Sequence, residues 1–311
     1  MSLPLSAELL PSRAYFLTKP DVSMLRPVLH ATFYLRDGLA WANGHAADVL
    51  RLFLARFGRT AQLAAFRAST SDVFRAVDDS VLAELPAHLV ASSVLARIRH
   101  RLRFELVDDR WAPSLGFDYR EIDDSRSTQH GYLRIVVPPL VPSDEIFAFF
   151  LEIVQQYPVW AATAGFGCTF NELRPRNAFT VFHKWSRRWL GLGIQIPDVM
   201  TFHVDRGLPE IGWLTFACAE ALASWDRWVP SPAPAPGVEC VTLRHGSLIR
   251  AGESPELGDS NQLEYPHALA RAWTVLQPLL VDPYPPLPGP FADEKILETW
   301  LARFSQPGVW E

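Results

Sequence analysis

Three features of the sequence predict an α+β fold: a mainly antiparallel sheet with helices packed on one face, built from recurring strand-helix-strand units. Residues 102–107 and 117–122 alternate apolar with charged side chains, and 132–137 follows as a more apolar stretch after another polar turn, the pattern of a meander of half-buried strands. Ala46–Phe57 sets Val49, Leu50, Phe53, Leu54 and Phe57 on one wide helical face before Gly58. Strand, amphipathic helix and strand then recur about three times without residue-for-residue repetition, which points to layered α+β packing rather than a solenoid.

Taken in order, residues 28–35 are apolar and partly β-branched and read as a strand ended by Arg36-Asp37-Gly38. After the helix over Ala46–Phe57, 63–67 reads as a short strand and 71–95 as helix broken near Pro86. Beyond the meander, Ser143 stands where it can cap a helix carrying Ile146, Phe149, Phe150 and Ile153. Asp144 and Glu145 suit that helix's positive end. Residues 163–170 read as a strand and 178–190 as an aromatic helix with Phe182, Trp185 and Trp189. The run 211–216 reads as a buried strand, and 239–243 with 247–250 as a hairpin about His245-Gly246. The polar turn Gly258-Asp-Ser-Asn261 leads into a helix over 266–279, and 292–304 closes the chain as another helix. Proline clusters at 138–139, 230–236 and 283–290 mark loops. The expected organisation is one α+β domain over residues 1–311, divisible into two pseudo-similar halves near residue 139.

The chain has 311 residues, 49% hydrophobic and 20% charged, enough apolar side chain for a sizeable core. A formal net charge of -5 argues against a general nucleic-acid binder. Cys168, Cys218 and Cys240 share no CxxC spacing, which suits a reducing cytosol. Pro4 and Pro11 interrupt the N-terminus, and no stretch approaches the ~18 apolar residues of a membrane span. A cytoplasmic protein without a signal peptide is the expectation.

No sequence motif names a chemistry. The histidines form no HxH or HExxH pattern; His203 and Asp205 are the nearest thing to a ligand pair and read better as surface or capping residues. Gly-x-Ser-x-Gly and the P-loop are absent, and Gly165-Phe-Gly167 and Gly191-Leu-Gly193 read as tight turns. Asp108-Asp109 and Asp123-Asp124 each follow an expected strand, where solvated turns are the plain reading and an acidic contact surface for a basic partner the functional one. Trp185 and Trp189 share a helix face beside Lys184 and Arg188. Core packing of the tryptophans is the plain reading; Trp185 and Arg188 as contact anchors is the functional one. The residues predict neither an enzyme, a metal site nor a cofactor.

In their order and flanks, several segments resemble the type VI secretion system immunity family. They are Phe33-Tyr-Leu-Arg-Asp37, Gly191-Leu-Gly-Ile-Gln-Ile-Pro-Asp198, Ile211-Gly-Trp-Leu-Thr-Phe216, Gly258-Asp-Ser-Asn261 and Tyr265-Pro266. The chain departs from that pattern in its proline-rich insert at 231–236 and at Gly193, where an acidic residue is expected. The resemblance implies a cytoplasmic protein that binds a cognate effector toxin, often a restriction-endonuclease-like nuclease encoded by an adjacent gene, and blocks it by stoichiometric occlusion. Asp108, Asp109, Asp123 and Asp124 would then serve as a partial phosphate mimic, with Trp185 and Arg188 as anchors. A hydrolase built on the aspartates, His203 and Asp205, or a non-inhibitory adaptor, are the readings that compete.

Overall fold

The computed structural model describes residues 15–16, 22–58, 63–68, 73–96, 101–122, 130–225 and 235–305. Its strands are β1 (Tyr15–Phe16), β2 (Ser23–Leu35), β3 (Ala65–Ala68), β4 (Arg75–Ala76), β5 (Arg101–Val107), β6 (Gly116–Ile122), β7 (Gly131–Val137), β8 (Val159–Phe170), β9 (Gly193–Ile194), β10 (Leu214–Cys218), β11 (Val238–Leu243) and β12 (Gly246–Ala251). Its helices are α1 (Ala46–Phe57), α2 (Asp79–Ala96), α3 (Ser143–Gln156), α4 (Pro175–Arg188), α5 (Pro197–Met200), α6 (Ala219–Ser224), α7 (His267–Leu276) and α8 (Glu294–Leu301), with an α turn at Gly38–Ala40 and a π turn at Trp41–His45 leading into α1 and short 3-10 turns elsewhere. The fold class is the expected α+β.

All the strands join one 12-stranded sheet in the order β11-β12-β10-β8-β2-β7-β6-β5-β3-β4, with β1 on β2 and β9 on β8. Pairing is antiparallel apart from the short parallel contact of β8 with β9. Strands drawn from residues 15–137 make one wing and those from 159–251 the other, joined along β2 and β8. Both central strands are buried along almost their whole length, which is why they read as apolar runs rather than as alternation.

Register separates the faces. One row runs Phe104, Tyr119, Leu133, Phe33, Ala162, Phe216, Leu248 and Val241 from β5 to β11. It packs on α1 and α3, with Phe33 5.2 Å from Phe150; two positions along β6, on the same face, Phe117 lies 5.7 Å from Phe53. Since side chains alternate along a strand, the next row over faces the other way. It runs Arg67, Glu105, Asp118, Arg134, Thr32, Thr163, Thr215, Ile249 and Cys240. The sheet thus has an apolar face and a largely polar one.

Several expectations need correction. Helices do not pack on one face alone. The segment after α4 lays Gln195 on Thr32 and Thr163 of the polar row, and α7 and the C-terminal turn bring Leu269 and Arg303 to a recess beside His30. A second layer is thereby added, since the polar face of the central strands is also removed from water. Residues 71–95 are not helix throughout: β4 comes first, and Asp78 then accepts from Val81 N at 2.9 Å to open α2, which continues through Pro86 with Leu85 and Leu89 buried. Ser143 is the first residue of α3 and not its cap, a position held by Pro142. Gly165 and Gly167 are not tight turns but lie within β8, where their missing side chains let neighbours approach: a Cβ at Gly167 would sit 3.2 Å from His30 Nε2. Most of the proline-rich insert lies outside the described residues.

Candidate functional site

The polar row is covered over the central strands and open over β3, β5, β6 and β7, and there it floors a groove of about 680 Å³. Cross-strand neighbours on one face stand close enough to pair, and here they alternate in sign at the ends. Arg67 on β3 meets Glu105 on β5, Nε to Oε2 at 2.6 Å, and Arg103 also contacts Glu105. Asp118 on β6 accepts from Arg134 Nη2 and from the Tyr132 hydroxyl, each at 3.1 Å. Glu105 and Asp118 are directly opposed and each only 6% exposed. Burial, and then the Asp118 charge, raise the Glu105 pKa against the pull of Arg67 and Arg103.

The walls are of another kind. Arg110 stacks on Trp111, 4.7 Å from guanidinium carbon to ring centre, and Arg67 faces Phe74 at 4.9 Å. Val73 and Leu173 on the rim are 68% and 76% exposed, unusual for large apolar side chains. Glu172, from the turn after β8, closes over the floor with both carboxylate oxygens on Arg103 Nη2, at 2.7 and 2.9 Å. Burial works against its ionisation, but the Arg103 charge and hydrogen bond, helped by Arg134 and Arg67, hold its pKa below the usual carboxylate range.

Under the covered half lies a second polar cluster. Thr32 donates to Gln195 Oε1, while Gln195 Nε2 lies 2.6 Å from Glu210 Oε2 and 3.1 Å from His30 Nε2. Accepting through Nε2 requires a neutral His30, and burial, then Arg134, push its pKa down to about 3. Burial pushes Glu210 up to about 7, against the Gln195 hydrogen bond and the Arg303 charge. The Glu210 carboxylate occupies the space over Gly193, the position where the sequence resemblance expects an acid. A recess of about 10 Å³ beside it admits about one water.

The residues singled out in the sequence are scattered. Asp108 accepts from Ser114 N at 2.9 Å and Leu115 N at 3.1 Å, and Asp109 from Trp111 N at 2.9 Å. Arg26 pairs with both, at 3.4 and 3.0 Å. These carboxylates organise the β5–β6 turn from half-buried positions rather than standing in a solvated one. Asp123 and Asp124 lie outside the described residues. Trp185 is half-buried against the core and meets Trp189 edge to face at 6.1 Å. Arg188 forks onto Asp259, at 3.0 and 2.8 Å, and stacks on Trp189. Asp205 turns to His130, 2.5 Å from Nε2, so it does not converge with His203, which contacts Arg206. Among the described residues no group of three or more His, Cys, Asp and Glu is placed to hold a metal ion, and no helix is long and apolar enough to cross a membrane. The floor residues Arg103, Glu105, Asp118 and Arg134 carried a sequence signal, charge at alternate strand positions, but only register shows that they face one another.

The geometry defines the class: an α+β protein on one antiparallel sheet, with an open charged groove. No protein-family profile and no curated protein sequence matches the chain. Among solved structures it is similar to the Pseudomonas aeruginosa T6SS protein PA0821, at 15% identity and a TM-score of 0.68, over 94% of this chain and 89% of that one. At that identity the likeness is one of fold.

Proposed function

We propose that this chain is an immunity protein: it binds a cognate type VI secretion effector toxin in the cytoplasm, a nuclease, and silences it by stoichiometric occlusion. The observation that carries the reading is the fold shared over nearly the whole of both chains with a T6SS protein. The sequence segments that resemble the immunity family support it independently. So does the groove, whose exposed apolar rim and mixed charge have the make-up of a protein-recognition surface. A stable complex buries about 1,600 Å² in total, so the groove would be the centre of a wider contact. In this reading the contact centres on the groove and not on an acidic patch of Asp108 and Asp109, since those carboxylates are already engaged by Arg26 and the turn.

Co-expression with the product of the adjacent gene tests the reading. The neighbour alone should stop growth, this chain should restore it, and the two should co-elute. A harmless neighbour with no complex would remove the immunity reading; co-elution without rescue would favour an adaptor. A hydrolase finds its best support in the raised pKa of Glu210, but a recess that admits about one water leaves a substrate no room.

A further inference from the structure

The groove floor is built from charges whose partners are of two kinds. Glu105 and Asp118 belong to the sheet, are buried, and cannot leave without unfolding strands. Glu172 belongs to a turn, is exposed across 47% of its side chain, and reaches over the floor from the wall. Its grip is imperfect. A carboxylate on arginine is held best when its two oxygens take two separate N–H groups in a fork. Here both oxygens share Arg103 Nη2, while Arg103 Nε has no acceptor, and Arg67 Nη2 is 3.8 Å away.

The charge balance points the same way. Four guanidinium groups line the groove, from Arg67, Arg103, Arg110 and Arg134, against the carboxylates of Glu105, Asp109, Asp118 and Glu172. Asp109 is already paired with Arg26, which is not among the lining residues. If Glu172 swings out, two carboxylates, Glu105 and Asp118, remain to balance the four guanidiniums.

We infer that this groove is a receptor for an acidic segment of a partner protein, in which Glu172 is a stand-in carboxylate that the partner's Asp or Glu displaces from Arg103. The apolar neighbours of that residue lie on Val73, Leu173 and Trp111. The inference rests on the groove being the partner-binding face and adds the chemistry of what enters it. It requires no covalent step and no change in the sheet, because only the Glu172 side chain and its turn have to move.

The test uses the full chain and a fluorescein-labelled probe, Ac-Leu-Glu-Phe-Glu-Leu-amide, with its Gln and Lys counterparts, read by fluorescence anisotropy. The acidic probe should bind better than either counterpart, and Glu172→Ala should tighten it about tenfold, as expected from removing a competing charge-assisted contact. Arg103→Gln should weaken it by at least as much. Because that change touches the sheet, Leu173→Glu provides a second variant: it sets a carboxylate on the exposed rim and should weaken the acidic probe several-fold without altering the fold. Equal binding of the three probes, preference for the Lys probe, stronger competition from a single-stranded oligonucleotide, or no saturable binding to Glu172→Ala would each overturn the assignment. Growth rescue by the neighbouring gene pair does not depend on this probe, so the failure of one reading is distinguishable from the failure of the other.

Discussion

Arg188 is a candidate contact anchor in the sequence, and the structure gives it a structural task that can be measured. Asp259 is fully buried at the turn before α7, where it accepts from Asn261 N at 3.1 Å and from the Arg188 fork. Changing Arg188 to Gln would leave that carboxylate buried with one weak donor. Removing one partner of a buried ion pair costs roughly 3–5 kcal/mol. The Arg188 side chain is 36% exposed, so solvent screens part of the interaction and a loss of roughly 2 kcal/mol is the working figure. That corresponds to a fall in Tm of about 3 °C for a chain of this size. Asp259→Asn removes the buried charge, keeps the hydrogen bond from Asn261 N, and should cost less. The double variant should recover much of the Arg188→Gln loss, the coupling expected when one partner is destabilising only because the other remains. The Arg188 hydrogen bond, opposed by burial, depresses the Asp259 pKa from the ordinary 3.8. A depressed carboxylate lends stability above its unfolded pKa and loses it as pH falls through the folded value. The gap between wild type and Arg188→Gln should therefore be full at pH 7 and close below about pH 4. Urea unfolding at pH 7 and pH 3 measures both. An Arg188→Gln loss under about 0.5 kcal/mol, or no recovery in the double variant, would mean that Arg188 does not neutralise a buried Asp259 charge.

Three further outcomes are expected. Glu210, held at about 7 against an ordinary 4.5, lends stability that is full below about pH 4.5 and lost as pH rises through about 7, so Glu210→Gln should flatten the Tm profile between pH 5 and 8. An unchanged slope in scanning fluorimetry would count against the raised pKa. Gly191→Ala should cost more than about 2 kcal/mol because its Cβ would overlap the Glu256 and Leu257 backbone, whereas Gly193→Ala meets chiefly the movable tip of Glu210 and should cost less in denaturant unfolding. Asp108→Asn with Asp109→Asn should lower stability by about 1–2 kcal/mol by loosening the β5–β6 turn and stranding Arg26; an unchanged midpoint in denaturant unfolding would count against that structural role.

Most elements were legible in the amino-acid sequence, because local rules sufficed for them. Helical spacing placed Ala46–Phe57, charge alternation placed β5 and β6, and His245-Gly246 marked the hairpin of β11 and β12. What a side chain is for required the tertiary structure. Arg188 and Asp259 are 71 residues apart, and Arg26 and Asp109 are 83 apart, so no local pattern could show that these charges neutralise each other. Gly165 and Gly167 imitate turn residues until His30 and Trp213 are packed against them. The groove shows this most fully: Arg67, Glu105, Asp118 and Arg134 become one row only when four strands adopt one register. Each strand's alternation says which side chains share a face. Only the tertiary structure decides which charges meet, through the pairing of the strands, and which part of that face the C-terminal layer leaves open.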